Sequence, residues 1–374
     1  MEPSRQSLLT SARSFAEGLV REGLQRPTTV ETWRDLLKRL AAQGWLSPPG
    51  VAGYPEAGAI LEGLAVGGAD LGVPLTLTVH YLLTLKVLRR HANDLIPQIS
   101  QGTGLACMAA SEPKVGSHPG KISTRAVRSE NGWTLNGLKV FTTGGPIGTA
   151  FLVLAVCAES PEGRDLGVFL VPRESAGLSV KEMPVHPGLE SALHGVLEFK
   201  NVRLPLSARV GPSGPKENGW TKIVKPFRQW EDALLQSWVA GLAQRHAAEL
   251  ARSAGKSAGN SQNSNGPPSG GTAAPAALLL GRLAALSRGL ATLARDSAQS
   301  LADEEAGASG TDLTARRYAF YEALGQLRPF TEELAACGAA AGDHPALAGL
   351  RALLVQLEFA KNSRVKIIQG LAKA

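Results

Sequence analysis

Three short stretches between residues 108 and 143 carry side chains suited to holding a polar, planar or phosphorylated ligand. Ser111-Glu112-Pro113 and Gly116-Ser117 combine hydroxyls with loop-forming residues. A serine hydroxyl donates and accepts hydrogen bonds, and glycine lets backbone approach a phosphate closely. Phe141-Thr142-Thr143 adds an aromatic face beside two more hydroxyls. Farther on, Glu231 stands three residues after Arg228, the spacing of neighbours on one helix face. The bland reading is a solvent-facing charge or a partner for that arginine. Other chemistries lack their signatures. His80, His91, His186, His194 and His344 show no HxxxH or HExxH spacing for a metal. No GxSxG marks a hydrolase nucleophile, and no GxxxxGK[ST] marks a phosphate-binding loop.

The elements that must position these residues read as an α+β chain in three parts. Residues 1–102 are helical: Leu36, Leu37, Leu40 and Ala41 recur at helical spacing before Pro48-Pro49-Gly50. A second helix runs from Ala57 through Val66. A third, from Pro74 to about Arg90, is apolar almost all round and therefore predicted to be buried between other helices. Residues 103–212 change texture, with short β-branched or aromatic runs separated by Gly, Pro and Asn, the pattern of antiparallel strands. Ser129-Glu130-Asn131-Gly132 is a hairpin turn signal. From residue 213 to 374 the helical period returns as a bundle. It is interrupted by Ser253 to Thr272, whose Gly, Ser, Asn, Ala and Pro predict a mobile loop. A second break falls at Ala306 to Thr311.

Composition narrows the function classes. Of 374 residues, 44% are hydrophobic and 19% charged, which fits a globular protein and excludes disorder. The net charge of +7 favours anionic partners such as nucleotides or coenzyme A, but the basic residues are scattered, which argues against nucleic acid. Cys107, Cys157 and Cys337 are far apart and suggest reduced thiols in a cytoplasmic protein without disulfides or zinc. No apolar run reaches the length of a membrane span.

Four motifs in fixed order resemble the acyl-CoA dehydrogenase family. They are Ala109 to His118, Trp133 to Gly144, Gly167 to Pro172 and Leu197 to Pro205. The resemblance extends upstream through Leu40 to Leu46 and downstream to Ala240-Gly241-Leu242-Ala243-Gln244-Arg245, and fades after residue 250. It implies an N-terminal helical domain, a middle β-barrel and a C-terminal helical bundle. It also implies FAD, an acyl-CoA or related thioester as substrate, and α,β-dehydrogenation with electrons passing to an electron-transfer flavoprotein. A homodimer or homotetramer is implied too.

Residue by residue, Ser111 stands where the family has a threonine facing the isoalloxazine, with Ala110 and Met108 beside it. Gly116 and Ser117 match the Gly-Ser near the pyrophosphate and substrate, and His118 replaces the usual Asp. Phe141-Thr142-Thr143 stands for the Trp-Ile-Thr that packs on the flavin. The family's catalytic carboxylate near the C-terminus has no counterpart, because Gln369 falls about there and an amide cannot act as a base. Some family members carry the Glu on a bundle helix before an Arg. Counting along the chain makes Glu231 the candidate, with Asp232 following it. A desolvated Glu has a raised pKa suited to removing an α-proton. The bundle half of the cofactor site departs from the family at 253–272, and Cys337 to Gly342 is a faint echo of its adenine-cradling glycines. Two alternatives stay open: a flavin-dependent monooxygenase of the same fold, and a non-catalytic interaction protein that has lost FAD.

Overall fold

Helix α1 (Arg5–Glu22) and α2 (Val30–Ala42) open the chain of this computed structural model, which describes residues 4–184, 189–261, 273–306 and 313–326. Thr29 caps α2: its hydroxyl accepts from the Thr32 N–H at 3.2 Å, and the Thr32 hydroxyl accepts from the Thr29 N–H at 3.1 Å. Trp33, Leu36, Leu37 and Leu40 form the buried stripe of α2, matching the predicted period. Next come α3 (Tyr54–Gly67) and α4 (Gly72–Leu82). The predicted single helix to Arg90 is interrupted, because α4 passes into a π-helical segment, Leu83–Leu88, before α5 (Arg89–His91) and α6 (Ile96–Ser100). All of Leu83–Leu88 is buried, Lys86 included.

The middle of the chain forms one mixed sheet. Its strands are β1 (Ala106–Ala109), β2 (Arg125–Ser129), β3 (Gly132–Thr142), β4 (Ala150–Ser160), β5 (Gly163–Pro172), β6 (Leu178–Glu182), β7 (Gly195–Leu204) and β8 (Arg209–Val210). The order is β6-β7-β3-β2-β4-β5-β8, with β1 pairing β4. Most ladders are antiparallel as expected, but β1 and β2 both run parallel to β4. The Ser129–Gly132 signal is the observed β2–β3 turn, where those two residues face each other. Residues Ala150–Val156 of β4 are buried on both faces, which explains their unbroken apolar run. A bulge between Lys139 and Thr142 breaks the alternation of β3 against β7.

The chain divides into two compact units. One comprises Arg21–Ala57 and Ala69–Glu231 together with residues 1–2, and so contains the sheet, α4, the π-segment and the start of α7 (Lys225–Ser261). Within it His80, fully buried on α4, donates from Nε2 to the Leu46 carbonyl at 3.0 Å and accepts at Nδ1 from the Ala106 N–H at 3.3 Å. That bond ties α4 to the first residue of β1. Burial, opposed by the Leu46 bond, lowers the imidazole pKa to about 4, so the ring is neutral.

The other unit comprises Pro3–Val20, Gly58–Gly68 and Asp232–Ala374, with most of α1, the end of α3, most of α7, and α8 (Ala273–Glu305) and α9 (Leu313–Gly325). Glycines let α1 and α3 touch: a Cβ on Gly63 would meet the Leu9 carbonyl oxygen at 2.4 Å, and one on Gly67 the Arg13 carbonyl oxygen at 2.3 Å. Glu62, buried at 1% exposure, receives two bonds from Arg295, at 2.9 and 3.2 Å, and one from Gln244 at 2.9 Å. Helix α7 extends to Ser261, so the stretch predicted as loop from Ser253 begins as helix. An established helix adds each further residue without a new nucleation step, so Ala and Ser continue it. Residues 262–272, the break at 307–312, Cys337 to Gly342 and Gln369 lie outside the described residues. Among the described residues no helix is long and apolar enough to cross a membrane, and no cluster of three or more His, Cys, Asp or Glu could hold a metal.

Candidate functional site

Strand β1 ends at Ala109, and the chain then turns through Ala110, Ser111 and Glu112. A buried ion pair fixes this turn. The Glu112 carboxylate lies 2.9 Å from the Lys139 ammonium of β3, at 3% and 0% side-chain exposure. Glu112 Oε2 also accepts from the Ser123 N–H at 2.8 Å and the Ser123 hydroxyl at 2.6 Å, while Oε1 accepts from the Thr124 N–H at 2.9 Å. Lys139 completes its shell on the Ala110 carbonyl at 3.1 Å, and the Val140 N–H donates to the Ser111 carbonyl at 2.9 Å. Burial alone would raise the Glu112 pKa, but Lys139, Ser123 and Thr124 outweigh it and bring it to about 2. Burial lowers Lys139 to about 8 against the pull of Glu112. The Ala110 carbonyl is thereby held by a charge-assisted bond in a buried setting, and the Ser111 carbonyl by the backbone of β3.

From Glu112 the chain makes a tight loop closed by reciprocal Glu112–Gly116 backbone bonds of 2.9 and 3.0 Å, which presents Ser117. Gly116 has φ +58°, and no atom lies within 4 Å of where its Cβ would be. On β3 the bulge re-aims the side chains. Lys139 and Thr142 point inward, while Phe141 turns outward with 52% of its surface exposed. Phe141 has φ 54°, a left-handed conformation uncommon for a bulky L-residue. The edge of its ring meets the His194 imidazole, centroids 6.2 Å apart.

These loops converge with helices on a cleft of about 200 Å³. Of the nine site residues expected from sequence, seven line it: Met108, Ala110, Ser111, Ser117, Phe141, Thr143 and Glu231. Two do not. Gly116 shapes the loop behind Ser117, and Thr142 is fully buried, its hydroxyl without a hydrogen-bond partner among the described residues. Sequence reading missed Val79 of α4, and Val224, Phe227 and Arg228 around the start of α7, which complete the wall. Their helical spacing from Glu231 was the available signal: 224, 227, 228 and 231 fall on one face. It also missed Lys139, whose one clue was a lysine flanked by Leu138 and Val140-Phe141. Arg228 is exposed and makes no ion pair among the described residues. The cleft thus combines an outward aromatic ring, three hydroxyls and a carboxylate, with apolar walls between them.

Residues 107–202 match the family model of the acyl-CoA dehydrogenase middle domain. Most of the sheet is thus an acyl-CoA dehydrogenase middle domain. A curated family relative, the L-prolyl-[peptidyl-carrier protein] dehydrogenase of a Serratia species, is 28% identical over 235 residues, covering 59% of this chain and 58% of the relative. The mitochondrial long-chain specific acyl-CoA dehydrogenase of Rattus norvegicus is 35% identical over 127 residues, or 33% of this chain and 29% of the relative. The chain therefore spans between about a third and three fifths of the length of these two curated relatives. Among solved structures, the FAD complex of PigA superposes with a TM-score of 0.77 at 19% identity, over 100% of this chain and 98% of that one. That likeness establishes the fold, which is the family's.

Proposed function

We propose that the chain is an FAD-dependent oxidoreductase that removes two hydrogens across the α,β bond of an acyl thioester, with Glu231 as the base. The observation that carries the reading is one cleft holding Phe141, Ser111, Thr143 and Glu231 together. The residues fit a flavin ring. Phe141 offers a solvent-facing aromatic surface for stacking, and the Ser111, Ser117 and Thr143 hydroxyls are the uncharged donors that ring carbonyls and nitrogens need. The open space beside Gly116 leaves room for backbone to approach a phosphate. The PigA structure of the same fold is an FAD complex, which supports the same assignment.

When bound, FAD supplies the acceptor for the hydride that leaves the β-carbon, and electrons pass on to an electron-transfer flavoprotein. The Glu231 carboxylate takes the α-proton as that C–H pair becomes the new double bond. Apolar Val79, Val224 and Phe227 line the cleft beside it. The rigid Glu112–Lys139 pair keeps Ser111 in place while the substrate enters. A homo-oligomer is part of this reading. A second reading, favoured by the Serratia relative, has the thioester carried on a peptidyl-carrier protein instead of coenzyme A.

The test is spectroscopic. The purified full chain should be yellow, or become so with added FAD, and an acyl thioester added without oxygen should bleach it. Glu231→Gln should keep the colour and lose bleaching by a factor of about 10³, the scale of a positioned general base. A colourless protein that excess FAD cannot reconstitute refutes the cofactor assignment. A Glu231→Gln variant that bleaches normally refutes the base.

A further inference from the structure

Arg228 stands in the cleft wall as a cation without a counter-ion. It lines the cleft from α7, is exposed, and makes no ion pair among the described residues. Its neighbours Val224 and Phe227 are buried at 3% and 5% exposure, so the helix is packed at this point while Arg228 is left accessible. The same cleft is lined by Ser117, which the Glu112–Gly116 loop presents. That loop offers no negative charge. From Pro113 to Lys121 it holds exposed Lys114, His118 and Lys121 and no acidic residue, and Glu112 at its base is buried against Lys139. Gly116 has φ +58° and open space where a Cβ would stand. All of these residues belong to the unit that contains the sheet.

An arginine fork, a hydroxyl and an open stretch of backbone on one cleft fit a phosphate group. The guanidinium donates two parallel bonds to phosphate oxygens, the hydroxyl donates another, and glycine lets the main chain come close. Two ligands of the proposed reaction carry phosphate: FAD in its diphosphate, and the substrate in its pantetheine arm. Arg228 precedes Glu231 by three residues, so their Cβ atoms are about 5–6 Å apart on one helix face. A phosphate on Arg228 is therefore near the carboxylate that meets the reacting carbon. The ribityl chain between a flavin ring and its phosphate is short enough for that. A pantetheine arm is much longer and carries its phosphate away from the thioester. We propose, resting on the FAD reading above, that Arg228 and Ser117 form a phosphate subsite that takes the diphosphate of FAD. The subsite binds the cofactor and touches no reacting atom.

The experiment is an equilibrium titration of the full chain, freed of flavin, with riboflavin, FMN and FAD, read by flavin fluorescence and without substrate or turnover. Riboflavin has the ring and no phosphate, so its affinity relative to FMN and FAD isolates the phosphate contact. Wild type should bind both phosphorylated flavins about tenfold tighter than riboflavin, the scale of a charge-assisted contact. Arg228→Gln should remove most of that advantage and leave riboflavin affinity unchanged, while Arg228→Lys, which keeps the charge without the fork, should restore part of it. Ser117→Ala reads the same subsite independently and should cut the advantage by about threefold. Added salt should narrow the advantage in wild type and change it little in Arg228→Gln. Equal losses for riboflavin, FMN and FAD in Arg228→Gln overturn the subsite, because a merely structural role weakens all three alike. Unchanged flavin affinities, with a lost preference for phosphopantetheine over pantetheine in calorimetry, move Arg228 to the substrate and overturn it too. A wild type that binds riboflavin as tightly as FAD overturns the subsite and leaves the FAD reading standing. A wild type that binds no flavin overturns that reading and the subsite with it.

Discussion

Lys139→Met should destabilise the fold by about 3 kcal/mol and loosen the Ser111 turn in the same step. The Lys139 ammonium is fully buried, 2.9 Å from Glu112. Removing one member of such a pair leaves an uncompensated buried charge, which costs roughly 3–5 kcal/mol. The lower end applies because three other donors, two from Ser123 and one from Thr124, remain on the carboxylate. The Ala110 carbonyl also loses its partner, so the turn gains freedom. Urea unfolding of the wild type, Lys139→Met, Glu112→Gln and the double variant closes a double-mutant cycle. The coupling should be about 2 kcal/mol, with the double variant much less destabilised than the sum of the singles. FAD retention should fall in Lys139→Met beyond what its stability predicts. A single-variant cost under about 1 kcal/mol, or additive singles, would refute the claim that this pair holds the turn.

Three further outcomes follow from the same geometry. The folded-state pKa of His80 is depressed to about 4, so below its ordinary value of 6.5 the unfolded chain binds a proton that the native state refuses. Stability should therefore fall by about 3 kcal/mol between pH 6.5 and 4 on this account; His80→Gln should be weaker at pH 7 yet show a flatter urea-midpoint profile in that window, and an unchanged slope would exclude His80 as the source. Thr142→Val removes a buried hydroxyl with no partner and should leave stability within about 1 kcal/mol of wild type or raise it, with FAD binding unchanged; a loss of FAD would show that this hydroxyl serves the cofactor. Gly67→Val forces a side chain onto the Arg13 carbonyl and should lower thermal stability by about 3 kcal/mol or more, while Gly281→Ala, with open space around it, should not destabilise.

Much of this architecture was legible because its signals are local. The α2 stripe, the all-round apolar α4 and the Ser129–Gly132 turn each follow from a period or a turn residue within a short window. The loops of the cleft were legible through motif order, and Ser111, Ser117, Phe141 and Thr143 from those motifs line its wall. Thr142 faces the interior and not the cleft, which the sequence did not show, because the bulge before it depends on register with β7 and no local pattern encodes that register. The π-segment was hidden for a similar reason: Leu83–Leu88 reads as an ordinary helix, and the extra residue in its turn is accommodated only through tertiary packing. Lys139 was passed over because a lysine is usually solvated, and its partner lies 27 residues away. Glu231 came from counting along a helix, and it lies on the wall of the cleft.

The Glu112–Lys139 contact also bears on how the protein is loaded. Every partner in that knot belongs to the polypeptide itself, so the Ser111 turn reaches its working shape as the sheet forms. A cofactor arriving afterwards meets a ready surface on this side and spends none of its binding energy on ordering that segment. Chain lacking cofactor should accordingly resist proteases at 110–124 as well as loaded chain does, and the two forms should exchange without refolding of the sheet.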